Sequence, residues 1–206
     1  LTLTRQRLVN PPIISATLVR LTFIECEQLH SPTVDCPRLR EFHLRATEQL
    51  RSPTIRSAAL RALSLADCSQ LSSAALECQS LLDLDLSACT ALAAEHVQQL
   101  LACCPRLLSL RLGGCRGLRH LSLQSASLRL LHLSWCTQLE GVCLDCPTLA
   151  TLYAYGCTQL VTPVIRSAAL SSLELQKCVA IHDGLVGPLT LCARARGGSP
   201  NLDPIS

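Results

Sequence analysis

Fourteen cysteines in 206 residues are the side chains most able to do chemistry in this chain. Thiolates attack electrophiles, bind soft metals and pair into disulfides. Cys143-Leu144-Asp145-Cys146 even has the spacing of half a zinc site. The spacing of the remainder argues for something plainer. Cys26, Cys68, Cys89, Cys115, Cys136, Cys157 and Cys178 recur in one register, with Thr47 standing where another falls due. Cys36, Cys78, Cys104 and Cys146 recur in a second register, shared with Ser57, Ser125 and Ser167. Serine and threonine cannot replace a thiolate on zinc or in a bridge, so both positions require a small, weakly polar side chain. Buried free thiols meet that need and favour a reducing compartment, cytoplasmic or nuclear. The single C-x-x-C lacks a second ligand pair, so neither a metal nor another cofactor is expected.

Other catalytic constellations do not assemble either. The six histidines are scattered, and His43 and His132, though equivalent in register, lie four copies apart. No serine sits in a Gly-x-Ser-x-Gly elbow, and no His-Glu-x-x-His or phosphate-binding Gly-Lys motif occurs. Gly113-Gly114-Cys115-Arg116-Gly117 reads as a turn at a strand's end. The chain is expected to catalyse nothing. Its aromatic residues carry more information. Phe23 and Phe42 take the place of inward leucines, whereas Trp135, Tyr153 and Tyr155 fall on the outward side of two adjacent copies. Exposed Trp and Tyr are the anchors that protein interfaces favour; chance placement is the bland alternative. With His132, Arg111, Glu174 and Lys177 around them, they form a candidate partner-binding face. Asp83 and Asp85, beside Ala62, Ser64 and Ser87, make a smaller and more acidic surface further along.

These residues are positioned by a repeat. Its unit is Leu-x-x-Leu-x-Leu-x-x-Cys-x-x-Leu, and it starts at Leu18, Leu39, Leu60, Leu81, Leu107, Leu128, Leu149 and Leu170. Six steps are 21 residues long and one, from Leu81 to Leu107, is 26. Leu63 and Leu65 lie two apart and point to one side of an extended strand, while Ser64 points to the other. Stacked copies then form a parallel sheet with rungs roughly 4.8 Å apart. Each inward leucine contributes about 1.5–3 kcal/mol, and neighbouring copies share the faces that no single copy could bury. Composition agrees: with no Met, two Phe and one Trp, leucine must fill nearly all of the core.

The second half of the unit holds a further alternation, at Val34, Ile55, Leu76, Leu123, Leu144 and Ile165. It predicts short strands on the back of a solenoid. Asp35 would then neighbour Arg56, Arg56 would neighbour Glu77, and Asp145 would neighbour Arg166, each exposed pair contributing about 0.2–1 kcal/mol. Sheets on both sides should leave the stack straighter than one backed by helices. The long copy is the exception. In its segment 94–104, Val97, Leu100, Leu101 and Cys104 follow the spacing of one helix face. A helix is wider than a strand, so the backbone should bend or splay there. The expected class is therefore α/β leaning to β: a solenoid with a parallel front sheet, short strands on most of the back face and one helix near 94–104.

Residues 1–17 read as a partial copy, 18–181 as eight copies, and 182–206 as a terminal segment. In the last, Ala193 to Ser199 reads as a mobile loop, and Pro200-Asn201-Leu202 resembles the Pro105-Arg106-Leu107 that opens a copy. Neither end carries a polar cap, so the chain is expected to be cut from a longer one. A net charge of +3 without a dense Lys/Arg run argues against nucleic acid. No apolar run approaches the ~20 residues of a membrane helix, and Leu1-Thr2-Leu3-Thr4 does not open a signal peptide.

A Leu-rich unit with Cys where most such repeats carry Asn resembles the cysteine-containing leucine-rich repeat. Cys104-Pro105-Arg106-Leu107-Leu108-Ser109-Leu110-Arg111-Leu112 and Leu131-His132-Leu133-Ser134-Trp135-Cys136-Thr137-Gln138-Leu139 are typical of it. From Leu18 to about Ile181, with Ser-Ala-x-Leu or Cys-Pro-x-Leu before each strand, the chain is similar to the plant F-box/leucine-rich-repeat family. That resemblance implies a leucine-rich-repeat solenoid whose repeats hold a protein substrate for a cullin-type ubiquitin ligase. An F-box, absent from these residues, would make the link to the ligase. A leucine-rich-repeat scaffold of surface or immune type, unconnected with ubiquitin, is the other reading.

Overall fold

The structure is a computed structural model that describes residues 1–182 and 190–191. In chain order the elements are β1 (Thr2–Thr4), β2 (Pro12–Ile14), β3 (Arg20–Ile24), β4 (Thr33–Asp35), β5 (Glu41–Arg45), β6 (Thr54–Arg56), β7 (Ala62–Ser64), β8 (Ala75–Glu77) and β9 (Asp83–Asp85). Helix α1 (Ala94–Cys103) follows. Then come β10 (Ser109–Arg111), β11 (His120–Gln124), β12 (Leu130–His132), β13 (Gly141–Asp145), β14 (Thr151–Tyr153), β15 (Thr162–Arg166), β16 (Ser172–Glu174), α2 (Val179–His182) and β17 (Thr190–Leu191).

The front is one parallel sheet of nine strands, ordered β1-β3-β5-β7-β9-β10-β12-β14-β16. Its register joins equivalent positions of successive copies, as in Leu84 to Leu110, Leu110 to Leu131 and Leu131 to Leu152. The inward leucines, with Phe23 and Phe42, are buried in one continuous core. The two Phe rings meet edge to face at 6.1 Å.

The back carries the short strands expected from the second alternation, but in two sheets: β2-β4-β6-β8 and β11-β13-β15-β17. Helix α1 stands in the gap. Ten residues are marginal as an isolated helix; this one is held by burying Val97, Leu100 and Leu101. Gln98 covers part of the neighbouring strand edge, its Oε1 accepting the Gln124 N–H at 3.1 Å. On the front, β9 and β10 pair at all three positions across the long copy, so the front rungs do not part there. The charge row is sparser than expected. Register sets Asp35 beside Arg56 and Asp145 beside Arg166, yet of the three pairs only Arg56–Glu77 closes, at 3.0 Å. Arg56 turns its Nε to Glu77, and for exposed pairs the entropy of fixing long side chains offsets the attraction.

The thiols of the first register form a column inside the turns. In four successive copies the Sγ lies against a main-chain carbonyl of the preceding copy: Cys115 to Leu86, Cys136 to Leu112 and Cys157 to Leu133, all at 3.1 Å, and Cys178 to Ala154 at 3.0 Å. Cys68 instead faces Ala66 O of its own copy at 3.7 Å. Thr47 interrupts the column and turns its hydroxyl to Arg45 O. The second register does the same on the back, where Cys78 faces Ile55 O at 3.5 Å and Ser57 donates to Leu39 O at 2.9 Å. The 13 described cysteines are free, and all but Cys103 and Cys143 are buried. Cys143, on β13, is exposed while Cys146, just beyond the strand's end, is buried, so the C-x-x-C pair does not face one site. Burial pushes the thiols up, to about 12 for Cys68, Cys104 and Cys115 and about 11 for Cys78, Cys136 and Cys146.

The residue just before the column position is left-handed in nine successive copies: Arg5, Glu25, Ala46, Asp67, Ala88, Gly114, Trp135, Gly156 and Lys177. For a residue with a β-carbon that conformation costs about 1–2 kcal/mol. Here it aims the amide at the next copy, as in Ala88 N–H to Gly113 O at 2.7 Å and Gly114 N–H to Ser134 O at 2.9 Å. The segments expected to form a loop (Ala193 to Ser199) and to open a further copy (Pro200-Asn201-Leu202) lie outside the described residues.

Candidate partner-binding face

Strand pairing brings the named residues together in two rows. The first crosses the front strands at one outward position, running Asp85, Arg111, His132, Tyr153 and Glu174 on successive rungs. His132 meets Tyr153 edge to face, with centroids 5.7 Å apart. The second row lies just beyond the strand ends. Trp135 meets Tyr155 edge to face at 5.1 Å, and Lys177 Nζ stands 5.3 Å from the Tyr155 ring centroid. An exposed cation over a ring contributes about 0.5–1 kcal/mol.

Trp135 is not on a strand, contrary to the alternation argument. It has the parity of Leu131 and Leu133, which point inward, and strict alternation would bury it. The left-handed turn, with φ of 66°, swings it out instead, and it is 53% exposed. Tyr155 likewise follows the end of β14.

Two glycines make room for this arrangement. A β-carbon at Gly113 would stand 2.8 Å from His132 Nδ1, and one at Gly156 would stand 2.9 Å from Trp135 Cε3. Sequence reasoning passed over both, taking Gly113 for a plain turn residue. Their position one copy away from a ring was the available signal. His132 Nδ1 is buried without a hydrogen-bond partner. Burial, then the nearby Arg111, holds this imidazole below its ordinary range, opposed by Asp85 and Glu174. The indole N–H of Trp135 and the hydroxyls of Tyr153 and Tyr155 make no hydrogen bond among the described residues. The face therefore offers aromatic area and free donors, with charge on either flank. Such a surface is suited to contact with a partner.

Parallel copies stacked on a column of buried thiols, under an open front sheet, define a leucine-rich-repeat solenoid of the cysteine-containing kind. The profile described as FBD-associated F-box protein At5g56370, LRR repeats, matches residues 39–182, and the chain belongs to that family. No individually curated protein matches it. Repeats of this F-box-associated kind suggest a role in protein interaction. No helix among the described residues is long and apolar enough to cross a membrane.

Proposed function

We propose that these repeats are the substrate-recognition part of an F-box ubiquitin-ligase receptor, and that the partner docks on the face built by Trp135, Tyr153, Tyr155, His132, Arg111, Glu174 and Lys177. The observation that carries this reading is the Trp135–Tyr155 pair, packed edge to face with a half-buried Tyr155 beneath an indole that is 53% exposed. Membership in an F-box-associated family supports the ligase link. In that setting an F-box elsewhere in the parent protein would reach a cullin-type ligase, while the repeats hold the protein to be modified. Buried free thiols in such number suit a reducing interior, so we place the protein in the cytoplasm or nucleus.

Affinity capture with wild type, the Trp135→Ala/Tyr155→Ala double variant and the back-face variant Arg56→Glu tests the site. Partners kept by wild type and Arg56→Glu but lost by the double variant, at equal thermal stability, support it. Loss with Arg56→Glu alone would move the site to the other sheet. For the ligase link, the parent protein should co-purify with a cullin complex. A parent without an F-box, or without that association, leaves a leucine-rich-repeat scaffold unconnected with ubiquitin.

A further inference from the structure

We propose that this face takes an extended, proline-containing segment of its partner, with a basic side chain seated on Asp83 and Asp85 and the proline packed against Trp135 and Tyr155. The proposal rests on the partner-docking reading above and adds to it the chemistry of what docks.

Three observations point the same way. The first concerns hydrogen bonding. The Trp135 indole can only donate, and neither it nor the two tyrosine hydroxyls has a partner among the described residues. A segment that presents free main-chain carbonyls is complementary to such donors. A helix already uses its carbonyls internally, whereas a polyproline-type segment uses none. Aromatic-lined surfaces recognise such segments because they arrive stiff, with little entropy left to lose.

The second concerns shape. Between the acidic strand β9 and Trp135, the turn row carries only the small residues Ser87, Ala88 and Gly114, while Gly113 lies under the His132 ring. A chain can lie close to the backbone at Ala88 and Gly114, where a β-carbon on Gly114 would meet nothing nearer than 3.8 Å, with its side chains against Trp135.

The third concerns charge and distance. Asp83 and Asp85 flank Leu84 on one strand, and neither forms an ion pair among the described residues. Asp85 Oδ1 accepts the Ser87 N–H at 3.0 Å, which leaves its other oxygen free. Arg111 stands one rung away and does not come within ion-pairing distance of either carboxylate. Asp85 and His132 lie two rungs apart, roughly 10 Å at the usual strand spacing, and Trp135 stands three residues further along in the turn beyond β12. A polyproline segment rises ~3.1 Å per residue, so the basic residue and the proline that reaches Trp135 should be separated by at least about three residues.

Trp135 is the only tryptophan in the chain, so its emission reports occupancy of the patch directly. Short peptides of about ten residues, carrying an arginine and a Pro-Pro pair at this spacing, would be titrated against the intact chain. Matched peptides would have Arg→Glu or Pro→Gly. We expect a saturable emission change, with the basic proline peptide binding at least roughly tenfold more tightly than the acidic one and the glycine peptide also weakened. Asp83→Asn/Asp85→Asn should abolish the preference for arginine while leaving the preference for proline. Equal binding of basic and acidic peptides, indifference to proline, or no saturable change up to about 1 mM overturns the proposal. If those results coincide with loss of captured partners in the Trp135→Ala/Tyr155→Ala variant, the docking face stands and only the extended basic segment is wrong. If that variant also captures normally, the docking face itself falls.

Discussion

The indole of Trp135 lies across the α-carbon of Gly156, so close that a β-carbon there would stand 2.9 Å from Cε3 and 3.2 Å from Cδ2 and Cζ3. The two residues hold the same place in adjacent copies. Trp135 also donates its amide to the carbonyl of Tyr155 at 2.7 Å. Main chain and side chain of Trp135 are thus both seated on the next copy, at a residue whose own φ is +71°.

Gly156→Ala should therefore displace the indole as well as strain the turn. The backbone cost alone is about 1 kcal/mol. Gly114→Ala is the control, because a β-carbon there meets nothing nearer than 3.8 Å. Both variants should lose similar stability through the turn, with an added loss for Gly156→Ala. Only Gly156→Ala should shift the emission of the single tryptophan. Identical spectra for the two would mean that the indole does not rest on Gly156 in solution.

Core and column should differ in cost. Leu133 is fully buried beneath the aromatic face, and Leu133→Ala should cost about 2–5 kcal/mol through the cavity it leaves. Cys136→Ser keeps a donor for Leu112 O and should cost about 1–2 kcal/mol. Urea unfolding measures both. A serine variant as damaged as the alanine variant would show that thiol packing, and not the donor, matters at this position.

Alkali should unfold the protein early. Six buried thiols, Cys68, Cys78, Cys104, Cys115, Cys136 and Cys146, sit at about 11 or about 12 in the folded chain, above the roughly 8.5 of a free thiol. The folded state then binds more protons than the unfolded state. Its stability is complete below the free-thiol range and is lost as pH rises toward the folded values. Thermal midpoints should fall steadily from about pH 8.5 upward, and thiol alkylation under native conditions at neutral pH should mark Cys103 and Cys143 before the buried thiols.

His132 should behave in the opposite sense. Burial and Arg111 hold its imidazole down, so the unfolded chain binds the extra proton first. The stability this group contributes is present above about pH 6.5 and is lost as pH falls through the depressed value. An NMR titration should place the midpoint below the ordinary histidine range, and Arg111→Gln should raise it. A midpoint insensitive to Arg111 would mean that the guanidinium lies further away than the fold places it.

Much of the fold was legible because a period of 21 residues leaves little freedom. The leucine spacing gave the front strands their phase. The alternation at Val34, Ile55 and Leu76 gave the back strands theirs, and the helix face at Val97, Leu100 and Leu101 announced α1. The site was legible only in membership. Trp135 and Tyr155 were legible as neighbours, but the left-handed turn that exposes the indole has no sequence mark of its own, since Arg, Glu, Ala, Asp and Lys adopt it in other copies. The seats provided by Gly113 and Gly156 depend on which way a ring leans, and the closure of Arg56 onto Glu77 rather than Asp35 depends on a rotamer. Neither is written in spacing.

The break in the back sheet at α1 gives the molecule the mechanics of a beam with one whole flange and one spliced flange. The front sheet runs unbroken from β1 to β16, while the back is two separate panels ending at β8 and β11. Helix α1 fills the break and packs on both β8 and β11, but with side chains in place of a strand ladder, so bending there would open or close the back without parting a single front rung. Asp83 and Asp85 lie on β9 and Arg111 on β10, so the spliced joint falls between the acidic strand and the aromatic rows. A small flexure there would alter the splay between the two halves of the front face, as the span of a caliper is set by its pivot.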